Sequence, residues 1–265
     1  MINLSASTAN VSENLLTWQT PNGKTVTVRS FDTTGEAGVY ISSQIIAALT
    51  AALDTRGEAV WIGCGGTTPK PIYEHLVYAE LDWAKVKLAQ VDERFVPTYD
   101  AASNTRMMAE ALAPVLQSDA QTGMELVTLI QDITDQEACA AKAEASLLTL
   151  GHGQAPVFDF ALMGMGPDGH YASIFPNNIV NAEVYSSNRL VLPVQPHTDG
   201  SEPKLPRITL SVPALNRSRR IVFFITGQTK LDVLKSASLN PDPYVSPIGA
   251  FLAQCPASVE FVWAA

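Results

Sequence analysis

Three short apolar runs, each closing on a glycine, constrain this chain more than any other feature: EAVWIG (Glu58–Gly63), FDFALMG (Phe158–Gly164) and RIVFFITG (Arg220–Gly227). Compact apolar runs bounded by turn signals read as strands buried within a sheet. Segments of helical character lie between such strands. Val39, Ile41, Ile45, Ile46, Leu49 and Leu53 repeat at helical spacing over Gly35–Leu53, and a shorter helix runs through Tyr73 and Leu76. Ser103 can cap a helix to about Gln117, and Thr134 with Glu137 forms a capping box for one to about Leu150. VKLAQVDE (Val86–Glu93) reads as the strand after EAVWIG, RLVLPV and RITLSV as candidates, and SVEFVWA as the closing strand. Alternating strands and helices predict an α/β chain: a doubly wound, mostly parallel, Rossmann-like sheet with helices on both faces. NLLTWQT and KTVTVRSF around PNG (Pro21–Gly23) predict an N-terminal hairpin before it. Residues 1–265 read as a single domain, with no repeat and no low-complexity linker.

Composition narrows the partners. Apolar residues are 46% and charged residues 16% of the chain, so it is globular and not disordered. A net charge of −9 argues against nucleic acid and anionic membrane, and an anionic ligand must be held by a local cluster of cations. Uninterrupted apolar stretches such as Ile221–Ile225 are far too short for a bilayer, and MINLSASTAN has neither a basic n-region nor an apolar h-region. Cys64, Cys139 and Cys255 are widely spaced and outside any C-x-x-C pattern, which suits a reducing cytosol and gives no metal site. A soluble cytoplasmic protein is expected.

In a doubly wound sheet, ligands gather beyond the carboxyl ends of the strands. Four segments there carry chemistry. GCGGTTPKPIYEHL (Gly63–Leu76) presents Gly65 and Gly66 for close backbone approach and the hydroxyls of Thr67 and Thr68, ahead of a helix start. It reads as a phosphate cradle without Walker A spacing, or as a tight strand-to-helix turn with no ligand. VDERFVPTYDAASNTRMM (Val91–Met108) places two carboxylates and Arg94 at a strand end, then Ser103-Asn104-x-Arg106 at a helix start. That is a functional polar cluster, or a self-satisfied salt bridge of Arg94 with Asp92 or Glu93.

The third segment is GMGPDGHYASIFP (Gly164–Pro176). Gly164-x-Gly166-x-x-Gly169 mimics a dinucleotide fingerprint, but Pro176 limits a following helix to about two turns, and no acid ends the next strand. The remaining reading is His170 as a general base, kept neutral by the positive end of a short helix. Asp168, on the same loop, is the second candidate. His75, His152 and His197 read as polar surface residues. In the fourth segment, Lys204 and Arg207 sit three apart ahead of a strand and can converge on one anion, whereas Arg217, Arg219 and Arg220 read as solvated surface charge.

Together these segments resemble the 6-phosphogluconolactonases of the glucosamine-6-phosphate isomerase/6-phosphogluconolactonase superfamily, from about Gly35 to the C-terminus. GGTTP (Gly65–Pro69) resembles S-G-G-S-T-P, with Cys64 in place of the usual serine. DERFVP (Asp92–Pro97) and SNTR (Ser103–Arg106) resemble D-E-R-x-V-P and S-N-x-R. GMGPDGHYASIFP is similar to G-M-G-x-D-G-H-T-A-S-L-F-P, with Tyr171 where threonine is usual. PRITLSVPALNRSRRIVFFITGQTK (Pro206–Lys230) resembles P-x-R-I-T-x-x-x-P-x-L-N followed by V-x-G-x-x-K.

The resemblance implies the glucosamine-6-phosphate deaminase-like fold and hydrolysis of 6-phospho-D-glucono-1,5-lactone, the second step of the oxidative pentose phosphate pathway. It implies His170 as the base that activates water. The 6-phosphate would lie among Gly65, Gly66 and Thr67, with Arg94, Lys204 and Arg207 as charged partners of phosphate or oxyanion. No metal or organic cofactor is implied, and a monomer or weak homodimer is expected. Tyr171, bulkier than threonine, is expected to narrow the cleft. The rival within the superfamily is a glucosamine-6-phosphate deaminase, which follows its D-G-H with I-A-F-N-E-P; YASIFP lacks that glutamate. A non-catalytic sugar-phosphate sensor of the same fold is the other alternative, and it requires a DNA-binding domain.

Overall fold

The computed structural model describes residues 14–116, 123–195 and 203–265. The hairpin is present as β1 (Asn14–Gln19) and β2 (Thr25–Phe31), antiparallel, with Gly23 at φ 80° in the turn between them. Helix α1 (Thr34–Arg56) opens on a reciprocal Thr33–Glu36 capping box and stops at Gly57, which is left-handed at φ 77°. Then come β3 (Ala59–Gly63), α2 (Lys70–Leu76), β4 (Val86–Gln90), β5 (Asp92–Arg94), α3 (Asn104–Ala111), β6 (Glu125–Val127), α4 (Gln136–Leu150) and β7 (Phe160–Gly164). The chain finishes through α5 (Asn181–Ser186), β8 (Val191–Val194), β9 (Arg207–Leu210), α6 (Val212–Leu215), β10 (Ile221–Thr226), α7 (Gln228–Ala237), α8 (Pro247–Gln254) and β11 (Val259–Ala264).

Among the described residues the main sheet has the order β1-β2-β11-β10-β7-β3-β4-β6, and every neighbouring pair except β1–β2 is parallel. β3 is buried at every residue and β10 from Ile221 to Ile225, as strands covered on both faces must be. Helix α1 is long and apolar enough by composition to cross a bilayer, yet its stripe of Ile41, Ile45 and Leu49 is fully buried in the core, against β3, β11 and α2. Because β3, β4, β7 and β10 run parallel, the loops after them emerge on one side of the sheet.

Four expectations are corrected here. VKLAQVDE is not one strand. Val91 donates its N–H to Gly63 of the main sheet but gives its carbonyl to Leu210, so the chain changes partners at that residue. β5 thereby enters a separate antiparallel sheet, β5-β9-β8, to which RLVLPV and RITLSV also belong. The cap of α4 is Asp135, whose carboxylate accepts from the Ala138 N–H, while the Thr134 hydroxyl donates to Asp132. Helix α3 ends at Ala111, and Gln117 lies outside the described residues, as does His197. Arg217, Arg219 and Arg220 are not simply solvated. Arg220 donates to Glu260 at 2.8 Å and to Gln44, Arg219 pairs with buried Asp159 at 3.2 Å, and Arg217 donates to the carbonyls of Ala155 and Pro156.

Candidate active site

The loop after β3 is shaped by what it must pass. A Cβ on Gly65 would lie 1.8 Å from Asn104 Oδ1, so any side chain there collides with α3. Gly66 takes φ 102°, open to glycine and strained for other residues. The Tyr73 hydroxyl donates to the Cys64 carbonyl at 2.7 Å and ties the loop to α2. The Cys64 thiol is buried, and burial, reinforced by the Asp92 charge, pushes its pKa up to about 12. It stays a neutral thiol and is no nucleophile.

The segment after β4 is organised around one carboxylate. Glu93 has no solvent exposure and accepts from the side chains of Gln90, Ser103 and Thr105 and from the backbone N–H groups of Arg94, Asn104 and Thr105. Ser103 also caps α3, and Arg106 turns outward to Glu110. The S-N-x-R signature thus packages a buried anion. The alternative reading of this segment, a salt bridge of Arg94 with Asp92 or Glu93, does not form. Arg94 Nη1 donates to the Ala102 carbonyl at 2.7 Å, and its Nε is buried without a partner.

Arg207 lies directly opposite Arg94 in the β5–β9 register. It is 4% exposed, donates to the carbonyls of Pro203 and Leu205, and stacks 5.8 Å from the centre of the Phe175 ring. Burial lowers its pKa, the Asp92 charge opposes that, and the Arg94 charge adds to it. Like charges paired across strands repel, so two guanidiniums held this way define a place for an anion.

The loop after β7 holds the histidine. A Cβ on Gly166 would come within 2.1 Å of the His170 ring, and Gly169 turns the chain at φ 82°. His170 Nδ1 is 2.5 Å from Asp168 Oδ1. Burial works to raise the Asp168 pKa, but the hydrogen bonds and charge of His170 outweigh it and hold the carboxyl below its ordinary value. An ionised carboxylate can only accept, so Nδ1 carries the proton and Nε2 presents a lone pair. No helix starts at His170: the residues after it form a turn closed by a Tyr171–Ile174 bridge. The expected helix dipole is therefore absent, and Asp168 sets the tautomer instead. Ser173 donates to Asp92 at 2.5 Å and ties this loop to β5.

The three loops enclose a cleft of about 240 Å3, small beside pockets for drug-sized ligands. Of the residues singled out from sequence, Gly65, Gly66, Thr67, Arg94, His170 and Arg207 line it, and Asp168 supports it through His170. Lys204 is exposed and is not on the wall. The lysine that lines the cleft is Lys230, on the first turn of α7, its pKa lowered by burial, which outweighs the opposing charge of Asp168. Its signal in the sequence was the G-x-x-K at the end of β10. Asp92 and Asn104 also line the cleft and had been assigned no role. Tyr171 does not narrow it: the ring is fully buried against Phe223 and Phe251, with its hydroxyl donated to Tyr185.

The family described as glucosamine-6-phosphate isomerases/6-phosphogluconolactonase matches residues 34–263. A 6-phosphogluconolactonase of Caulobacter vibrioides is 36% identical over 225 residues, covering 84% of this chain and 90% of that protein. One of Rhizobium meliloti is 34% identical over 226 residues, covering 84% and 92%. The crystal structure of a 6-phosphogluconolactonase from Shewanella baltica superposes with a TM-score of 0.81 at 30% identity, covering 95% of this chain and 100% of that one. With a match running from α1 into β11 and through all three loops of the cleft, the chain belongs to the glucosamine-6-phosphate isomerase/6-phosphogluconolactonase family.

Proposed function

We propose that this chain hydrolyses 6-phospho-D-glucono-1,5-lactone to 6-phospho-D-gluconate, with His170 as general base. The observation that carries the reading is one small cleft in which a histidine with a carboxylate on Nδ1 faces two opposed arginines. The similarity to proteins named 6-phosphogluconolactonase supports it. The 6-phosphate sits at Gly65, Gly66 and Thr67. Arg94, Arg207 and Lys230 are divided between that phosphate and the oxyanion that develops at C1.

Water attacks C1 and its proton passes to His170 Nε2, while Asp168 stabilises the imidazolium. Collapse of the tetrahedral intermediate breaks the bond from C1 to the ring oxygen, and that oxygen takes the proton back from His170. The enzyme needs no metal or organic cofactor, acts on a free phosphosugar in the cytoplasm, and works as a monomer or weak homodimer.

The test generates the lactone in situ and follows its loss against spontaneous opening at the same pH. Loss at the uncatalysed rate with micromolar enzyme present would end the proposal.

A further inference from the structure

Resting on that reading, a carboxylate on the cleft wall has no part in the chemistry above. Asp92 is 7% exposed and lines the wall with His170, Arg94 and Arg207. Its Oδ2 accepts from Ser173 at 2.5 Å. Among the described residues it forms no ion pair, although Arg94 and Arg207 share its small sheet, and Oδ1 accepts no hydrogen bond. Oδ1 is not among the buried polar atoms left without a partner, so it is the carboxylate oxygen open to the cleft, and the hydrogen bonds of Arg94 and Arg207 go to the carbonyls of Ala102, Pro203 and Leu205. In a cleft built for an anion, a carboxylate repels both the phosphate and the developing oxyanion. It tolerates only the part of the substrate that donates hydrogen bonds, which in a sugar lactone is its ring hydroxyls.

We propose that Asp92 Oδ1 accepts a hydrogen bond from a ring hydroxyl of the substrate and makes the enzyme selective for hydroxylated phosphosugar lactones over their deoxy analogues. Ser173 is then a positioning residue: by holding Oδ2 it fixes the plane of the carboxylate and turns Oδ1 to the ligand. A site made to bond a hydroxyl rejects the analogue that lacks it, because the buried acceptor is left unpaired.

The experiment compares kcat/KM for the intact lactone with those for its 2-deoxy, 3-deoxy and 4-deoxy analogues, each generated in situ, on wild type, Asp92→Asn and Ser173→Ala. Wild type is expected to discriminate against one of the three by roughly ten- to a hundredfold, the worth of a hydrogen bond to a charged group. Asp92→Asn should lose a similar factor on the intact lactone and little more on that analogue. Ser173→Ala should narrow that discrimination, with most of its loss on the intact lactone, because Oδ1 is no longer held toward the hydroxyl. Wild type indifferent to all three deoxy lactones would overturn the proposal even if the variant fails to fold. So would an Asp92→Asn loss equal on all four substrates, which marks a carboxylate that only holds the Ser173 loop. Absence of lactonase activity in wild type would instead defeat the underlying functional reading.

Discussion

Gly65 and Asn104 occupy space that neither can give up. The Asn104 amide cannot swing clear of a side chain at position 65, because its Nδ2 is committed to the Asp92 carbonyl at 3.0 Å. Gly65→Ala should therefore destabilise the protein by about 1–3 kcal/mol, the usual range for overpacking a filled site, and raise KM by displacing the loop. Urea unfolding with an unchanged midpoint would contradict this packing account. Arg207 makes the opposite case, a residue whose worth lies in binding. Arg207→Ala relieves repulsion with Arg94, yet should raise KM by roughly ten- to a hundredfold through loss of a charge-assisted bond to phosphate. Inorganic phosphate should protect wild type against heat more than it protects this variant. Equal protection would remove Arg207 from the anion site.

At the scale of elements, the strands that could be recognised from sequence were those with local signals. EAVWIG, FDFALMG and RIVFFITG became β3, β7 and β10 because a continuous apolar run has few places to go but the middle of a sheet. The break at Val91 was invisible, since a change of hydrogen-bonding partner leaves no trace in periodicity. Gly65, Arg94 and His170, which the structure brings to one cleft, were legible from glycines and charges at strand ends. Lys230 and Asp92 were not given roles, because a lysine in a helix and an aspartate at a strand end usually face water. The mistaken solvation of Arg220 has the same origin. It belongs to a hub in which Glu260 on β11 accepts from Arg29 on β2, Tyr40 on α1 and Arg220 at the start of β10. Burial works to raise the Glu260 pKa, but those three donors together hold it below its ordinary value. A carboxyl whose folded pKa is depressed contributes stability above its unfolded pKa, about 4.3, and loses it as pH falls through the folded value. Glu260→Gln should melt below wild type at neutral pH, with the gap closing on acidification below about pH 4. A gap in Tm that stays constant with pH would show that the charge is not what matters.

For the whole molecule, the cleft exists because two sheets meet. The main sheet supplies the glycine loop, the histidine loop and Lys230, and the small sheet supplies Arg94 and Arg207. Ser173 to Asp92 and Asn104 against Gly65 are the ties between these parts. The groups proposed to hold the substrate are thereby distinct from the group proposed to activate water, and the two roles separate in kinetics. The most direct measurement is the steady-state rate of lactone loss by wild type and His170→Ala across pH 5–9, read against a no-enzyme control at each pH. His170→Ala should fold, keep KM within a few-fold, and lose kcat by about 10²–10⁴, the usual worth of a positioned general base. The wild-type kcat should fall on acidification as Nε2 becomes protonated, and the variant should lack that limb. A folded His170→Ala protein with wild-type kcat and an intact acid limb would contradict the account, and Asp168 would then be the base to test.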